Sequence, residues 1–358
     1  MRQTRGRVVE VETLADFDRR LAAGVRALAG WHVHGVDLRE RSEQLRAVDP
    51  GGALFLGCLL LVEDEVVARA RGAVVAADGP ARAPATHEGL YTARELYDTP
   101  AYADSSDARI YAWSQQTRDR DASLARALHD HAVDVALEAW VADRSLVGVM
   151  GGHASPRGSA DYAAAARLGH TLGSSYVVAT GGGPGAMEAA NLGAALSGHS
   201  AGTLDEALDT LGRVPWYRPD IGAWAAAAFE VLDVVPDPAD SLGVPTWHYG
   251  HEPTNPFATA IAKYFRNATR EAILLEVCRA GIVFLPGAAG TVQEIFQDAC
   301  ENYYADESSL APMVLVGREH WTETLPAWPL LTSLARGRPM EGMIHLADSL
   351  EEAAALVG

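Results

Sequence analysis

Apolar and polar positions change rhythm along this chain, and the change divides it in two. Residues 12–28 carry an amphipathic helical pattern, Trp31–Val36 alternates like a strand, Leu38–Val48 is helical again and Ala53–Cys58 is a buried strand. Leu59–Val75 reads as strand-like pieces around a turn at Glu63, Asp64 and Glu65. Two stretches rich in Pro, Ala, Asp and Ser follow, Pro80–Pro84 and Tyr97–Asp107, one of them a linker. The boundary is placed at Asp107. This gives a small α/β unit of residues 1–107, without assignable chemistry, and a larger domain of residues 108–358.

In the larger part Arg118–Val141 is a long helix, after which strands and helices alternate. Strands are expected at Leu146–Met150, Tyr176–Ala179, Val231–Val235, Ile282–Leu285, Met313–Val316 and Met343–Leu346. Helices are expected over Ala160–Leu172, Ala186–Leu196 and Pro256–Arg279, and from Val292 onward. Short, continuously apolar strands separated by helices mean an α/β fold with a doubly wound parallel sheet. No internal repeat or low-complexity tract is visible.

Two of the strand-to-helix junctions are rich in glycine. Ile282–Leu285 runs into Pro286-Gly287-Ala288-Ala289-Gly290-Thr291, and a helical stripe of Val292, Ile295, Phe296 and Ala299 follows. Such a junction leaves bare N–H groups and a positive helix end where an anion can sit. Glu294 falls in the first turn of that helix, beside the same seat. Thr291-x-x-Glu294 also spells a capping box, in which the two side chains satisfy helix-end donors. The run of small residues tips the balance toward a ligand loop, because a cap does not need two glycines. The second junction is Thr180-Gly181-Gly182-Gly183-Pro184-Gly185, where Gly181-x-Gly183-x-x-Ala186 with Asp205 makes a weak dinucleotide fingerprint. Ligands of open α/β sheets bind beyond the carboxyl ends of the strands, so both loops can face one crevice.

Composition narrows the partners. The 358 residues are 48% hydrophobic and 21% charged, with a net charge of -18. A sequence this acidic lacks the basic footprint of a nucleic-acid binder, while a local cradle of N–H groups still suits a small anion. No run of 18 apolar residues is present, so no membrane span is expected, and a cytoplasmic location is. Cys58, Cys278 and Cys300 are far apart in apolar or helical settings and read as buried free thiols. Lys263 is the only lysine.

Together, Gly181-Gly182-Gly183-Pro184-Gly185-Ala186-Met187-Glu188 and Pro286-Gly287-Ala288-Ala289-Gly290-Thr291-Val292-Gln293-Glu294 resemble the paired motifs of the LOG family. That family comprises cytokinin-activating phosphoribohydrolases and related nucleotide 5'-monophosphate nucleosidases, often mislabelled lysine decarboxylases. The resemblance covers roughly residues 145–334, including the Gly151–Ser155 loop, and leaves residues 1–107 outside it. Ala288 replaces a hallmark glycine, and Glu188 stands where plant-type members have glycine, which points to a different subgroup.

The resemblance implies a Rossmann-like domain, a homodimer, and hydrolysis of the N-glycosidic bond of a nucleoside 5'-monophosphate to free base and ribose 5-phosphate. Glu294 would be the catalytic carboxylate, and Arg270, with Arg266 as a second registration, would fix the substrate or assist the leaving base. Gly181, Gly182, Gly183, Gly185, Met187, Gly287, Gly290, Thr291 and Ser155 would bind substrate and phosphate. Neither a metal nor an organic cofactor is required. The other reading is a non-catalytic nucleotide or cofactor carrier, or a sensor, of the same fold.

Three further patterns carry less. Gly198-His199-Ser200-Ala201-Gly202 spells a nucleophile elbow, but a helix precedes it and a loop-like stretch follows. His248, His251 and Glu252 read as polar residues of a loop rim, because Gly250 and the flanking prolines break any helical His pair. Asn255 and Phe257 extend that stretch as a candidate base-contacting loop. Lys263, the one possible Schiff-base residue, falls in an expected helix with no supporting motif, which argues against pyridoxal chemistry.

Overall fold

A computed structural model describes residues 9–76, 89–116, 120–248 and 252–357; His251 lies outside them. The described residues form two compact units, one of residues 9–76, 109–116 and 120–132, the other of residues 89–108, 133–248 and 252–357.

The first unit contains β1 (Val9–Val11), α1 (Leu14–Ala22), β2 (Trp31–His34), α2 (Ser42–Ala47), β3 (Leu54–Leu56), α3 (Val62–Ala70) and β4 (Val74–Ala76). Its sheet is parallel throughout, in the order β1-β2-β3-β4. The strands begin at Val9, Trp31, Leu54 and Val74, 22, 23 and 20 residues apart. A structural repeat is therefore present where none was legible, because its period is carried by strand and helix spacing rather than by a recurring motif. Phe17, Leu28, Trp31, Val33, Phe55 and Val75 form the core beneath the sheet. The expected strand-like pieces of Leu59–Val75 are instead mostly α3. Glu63, Asp64 and Glu65 fill its first turn, where carboxylates complement the positive helix end.

Next along the chain come α4 (Ala93–Leu96), α5 (Ser106–Gln116) and α6 (Arg120–Val141). The second unit continues with β5 (Leu146–Met150), α7 (Ala160–Leu172), β6 (Val177–Thr180), α8 (Ala186–Ala195), α9 (Ala201–Gly212), α10 (Ile221–Val234), β7 (Ser241–Gly243) and β8 (Ala260–Ile261). It closes with α11 (Asn267–Glu276), β9 (Ile282–Phe284), α12 (Ala289–Tyr304), β10 (Met313–Val316), α13 (Ala327–Ala335), β11 (Ile344–Ala347) and α14 (Leu350–Ala355). Seven parallel strands lie in the order β11-β10-β9-β5-β6-β7-β8. The chain winds outward from β5 to β8, returns to the other side of β5 as β9, and winds outward again. This is the expected doubly wound, Rossmann-like sheet. The reversal between β5 and β9 is a topological switch point, where adjacent loops diverge and leave a crevice.

Several local expectations are corrected. Val231–Val235 is not a strand. Asp220 caps α10, and Trp224, Ala225, Ala228 and Val231 are buried at helical spacing, so the apolar run at 231–235 is the end of that helix. The strand that follows β6 in the sheet comes later, at β7, and β8 forms that edge. Pro256–Arg279 opens with β8, and its helix begins only at Asn267. The stretch after Ser200 is helical, with Ser200 as the cap of α9. Cys58 and Cys278 are buried thiols, whereas Cys300 is exposed on α12.

One packing feature positions the glycine loops. A Cβ added at Gly169 would lie 2.1 Å from Ala190 O, and one at Gly193 only 1.8 Å from Ala166 O. The backbones of α7 and α8 thus touch through glycine and alanine, which fixes the start of α8 against β5 and β6.

Candidate functional site

Three loops meet at the carboxyl edge around the switch point: Gly151–Ser159 after β5, Gly181–Gly185 after β6 and Leu285–Ala288 after β9. The β6 loop is held rigid from below. Thr180 Oγ1 accepts from Gly182 N at 3.0 Å and donates to Asn191 Oδ1 at 2.6 Å. Asn255 Nδ2 donates to Gly183 O at 3.2 Å and to Asn191 Oδ1 at 3.1 Å, and Asn255 N donates to Gly182 O at 2.9 Å. Asn255 and Phe257 are buried. Their candidacy as a base-contacting loop is therefore corrected: Asn255 builds the loop, and Phe257 belongs to the core.

Gly182 and Gly185 hold φ of 70° and 75°, the left-handed region that favours glycine. Gly181 and Gly183 serve close approach instead. A Cβ on Gly181 would sit 2.6 Å from the Arg270 guanidinium and 2.8 Å from Met187 Sδ, and one on Gly183 would sit 2.8 Å from Met187 Cε. Met187 and Arg270 thus lie directly on the loop.

The β9 loop resolves the cap question. The residue preceding α12 is Ala288, with no side-chain cap, and Thr291 lies inside the first turn. The capping box Thr291-x-x-Glu294 therefore does not form, and Glu294 sits in the second turn rather than the first. Thr291 is buried against Gly287, where any Cβ would fall 2.2 Å from Thr291 Oγ1. His320 Nε2–H donates to Gly287 O at 3.0 Å and pins the loop from β10's side. Ala288 has φ of −120°, so alanine replaces glycine here without strain. Gly290 is exposed, and a Cβ there would meet nothing within 4 Å. Ser155 is half-buried in the β5 loop. Helices α7, α9, α10 and α14 are closed by Ser or Asp side chains. The two helices that start at the crevice, α8 and α12, have no such cap, which keeps their positive ends available to an anion.

Arg270 and Glu294 face each other across this junction. Arg270 Nε donates to Val244 O at 2.8 Å, and its NH1 stands 3.9 Å from Glu294 Oε1 and 4.0 Å from Glu271 Oε1. Arg266, the alternative registration, is an exposed residue at the start of α11. Burial raises the Glu294 carboxyl to about 7, partly opposed by the Arg270 charge and reinforced by Glu271. A buried carboxyl titrating near neutrality in a crevice, with an arginine beside it, is a perturbed group of the kind found at functional sites.

The sequence reading missed one part of this rim. Glu252 Oε1 lies 3.4 Å from His153 Nδ1, and its other oxygen lies 3.8 Å from a Cβ built on Gly183. A carboxylate–imidazole pair therefore stands over the β6 loop. His153 lies within a small-residue loop, and Glu252 was grouped with His248 and His251; only folding joins the two.

Other readings resolve plainly. Glu188 is not at the crevice surface. Its carboxylate is fully buried against Arg157, whose Nε donates to it at 3.0 Å, and Arg157 also donates to Trp224 O at 2.8 Å. Burial raises its titration point while Arg157 opposes that shift. Asp205 is exposed on α9, paired with Arg167 at 3.1 Å, so the ribose-binding acid of the dinucleotide fingerprint is absent from this position. Ser200 follows a turn rather than a strand, which removes the nucleophile elbow. Lys263 lies outside any helix, buried, and donates to Asp107 Oδ1 at 2.5 Å and Thr254 Oγ1 at 2.6 Å. Among the described residues no helix is long and apolar enough to cross a membrane.

The fold is that of an α/β protein with a doubly wound parallel sheet, and the crevice at its carboxyl edge is the candidate ligand site. No protein-family model matches the sequence, and no curated protein does. Among solved structures the chain is similar to the molybdenum cofactor carrier protein of Chlamydomonas reinhardtii, at 17% identity, over 59% of this chain and 94% of that one, with a TM-score of 0.37. It is also similar to the molybdenum cofactor binding protein of the phototrophic bacterium Rippkaea orientalis, at 16% identity, over 60% and 94%, with a TM-score of 0.37. A likeness this distant says nothing of what this chain binds.

Proposed function

We propose that the crevice binds a nucleoside 5'-monophosphate and hydrolyses its N-glycosidic bond, as the resemblance to LOG-type phosphoribohydrolases implies. The observation that carries the reading is the Glu294–Arg270 pair, a carboxyl held to about 7 by burial next to a guanidinium laid over Gly181. N-glycoside cleavage builds positive charge on the ribose ring, which an ionised carboxylate stabilises while it orients or deprotonates the attacking water. Water's oxygen joins the anomeric carbon as the bond to the base breaks, and the base leaves with a proton. Arg270 orients the substrate or assists the departing base. The phosphate takes the uncapped helix starts at Gly185 and Ala288.

A second reading keeps the ligand class and removes the reaction. A protonated Glu294 does not repel an anion, so the same raised titration point suits a carrier that holds its ligand intact. Incubation with a panel of nucleoside 5'-monophosphates, with calorimetry on the same compounds, separates the two. Release of free base and ribose 5-phosphate in equal amounts supports hydrolysis. Saturable binding without release leaves the carrier, and neither binding nor release refutes both.

A further inference from the structure

We propose that the N-terminal unit binds a divalent transition-metal ion of the Zn2+ class through Glu10, His32 and His34. The residues come from edge strand β1 and its neighbour β2. The parallel register sets Glu10 beside His32, and side-chain alternation puts His34 on the same face as His32. Val11, Trp31 and Val33 of these strands belong to the core, so the three polar residues occupy the opposite face. Glu10 Oε1 lies 3.0 Å from His32 Nδ1, and Oε2 lies 2.7 Å from His34 Nε2. One donor atom from each of the three residues lies within 4.8 Å of the others.

Hydrogen bonds alone satisfy this cluster, with each imidazole donating to one carboxylate oxygen. The arrangement is nevertheless close to a ligand set. Two imidazole nitrogens and a carboxylate oxygen are donor types that Zn2+ takes, at roughly 2.0–2.2 Å. Two nitrogens and one oxygen select ions such as Zn2+, Co2+, Ni2+ or Fe2+ over Mg2+ and Ca2+, which demand oxygen donors. Side-chain exposures of 51% for Glu10, 29% for His32 and 30% for His34 leave a route from solvent. The remaining coordination positions face water, as in open three-ligand sites rather than closed structural ones. A dication here also meets a chain of net charge -18. Its structural effect is to tie the three-residue edge strand β1 to β2 through side chains as well as the ladder.

The test uses the full-length protein, stripped with a chelator and titrated with Zn2+ and separately with Co2+. The expected result is one equivalent bound, a Co2+ spectrum without thiolate charge-transfer bands, and a raised melting temperature with Zn2+. His32→Ala/His34→Ala should lose that equivalent, with affinity down at least about 100-fold, the upper range for loss of an outer-shell partner. Glu10→Gln preserves size and removes the charge, so it reads the same site if the double variant folds poorly. Uptake that is absent in the wild type, or undiminished in both variants, overturns the proposal. A thiolate band assigning the ion to cysteine overturns it equally.

Discussion

Replacing Glu294 by glutamine tests whether the crevice stores an electrostatic cost. The substitution keeps the side chain's size and removes its charge. Burial, with Glu271 adding to it and Arg270 opposing it, raises this carboxyl from the ordinary 4.5 to about 7. The folded protein therefore holds the proton more tightly than the unfolded chain. Ionising Glu294 then destabilises the fold, by about 3 kcal/mol once both states are ionised. Below pH 4.5 the group is neutral in both states, and Glu294→Gln and wild type should be near equal. Between pH 4.5 and 7 the unfolded chain loses its proton first, and wild-type stability falls relative to the variant by up to about 1.4 kcal/mol per pH unit. Above pH 7 the gap levels off, with the variant about 3 kcal/mol more stable. Urea unfolding of both proteins from pH 5 to 9 measures this. A variant no more stable than wild type at pH 8, or a gap independent of pH, refutes the reasoning.

Other perturbations follow from the same geometry. If an ionised Glu294 is the working form, kcat/KM should rise with pH through about 7, whereas a flat profile over pH 5.5–8.5 removes it as the titrating group. Glu188→Leu should cost about 3–5 kcal/mol by stranding Arg157, while Arg157→Met/Glu188→Leu should recover most of that loss in denaturant titrations. Gly193→Ala should lower stability by about 1–3 kcal/mol because its Cβ meets Ala166 O, while Gly290→Ala, with open space around it, should be neutral or slightly stabilising. Thermal melting compares those two glycines directly.

The strands that read clearly were those whose apolar runs are short and bounded, such as Leu146–Met150 and Ile282–Phe284. The doubly wound sheet followed from their alternation with helices. Val231–Val235 failed because the last turn of α10 is rich in β-branched valine, exposed Val234 included, and so reads locally as a strand. Helix α3 failed because three consecutive acids look like a turn until they are seen filling the first helical turn. At the crevice, the glycines and the Arg270–Glu294 pair were legible as motifs on one chain segment each. The rim formed by His153 and Glu252, and the buried role of Glu188 opposite Arg157, were not. Each joins residues 99 and 31 positions apart, respectively, that only the sheet order brings together.

Hydrolysis at Glu294 is decided by one matched comparison, wild type against Glu294→Gln, on whichever nucleoside 5'-monophosphate binds best. Binding is followed by calorimetry and cleavage by chromatography. The two proteins should bind with similar affinity, with release of base and ribose 5-phosphate by the wild type and a rate lower by about 100-fold or more in the variant. Equal turnover by both proteins, or tight binding by a wild type that never releases base, contradicts it.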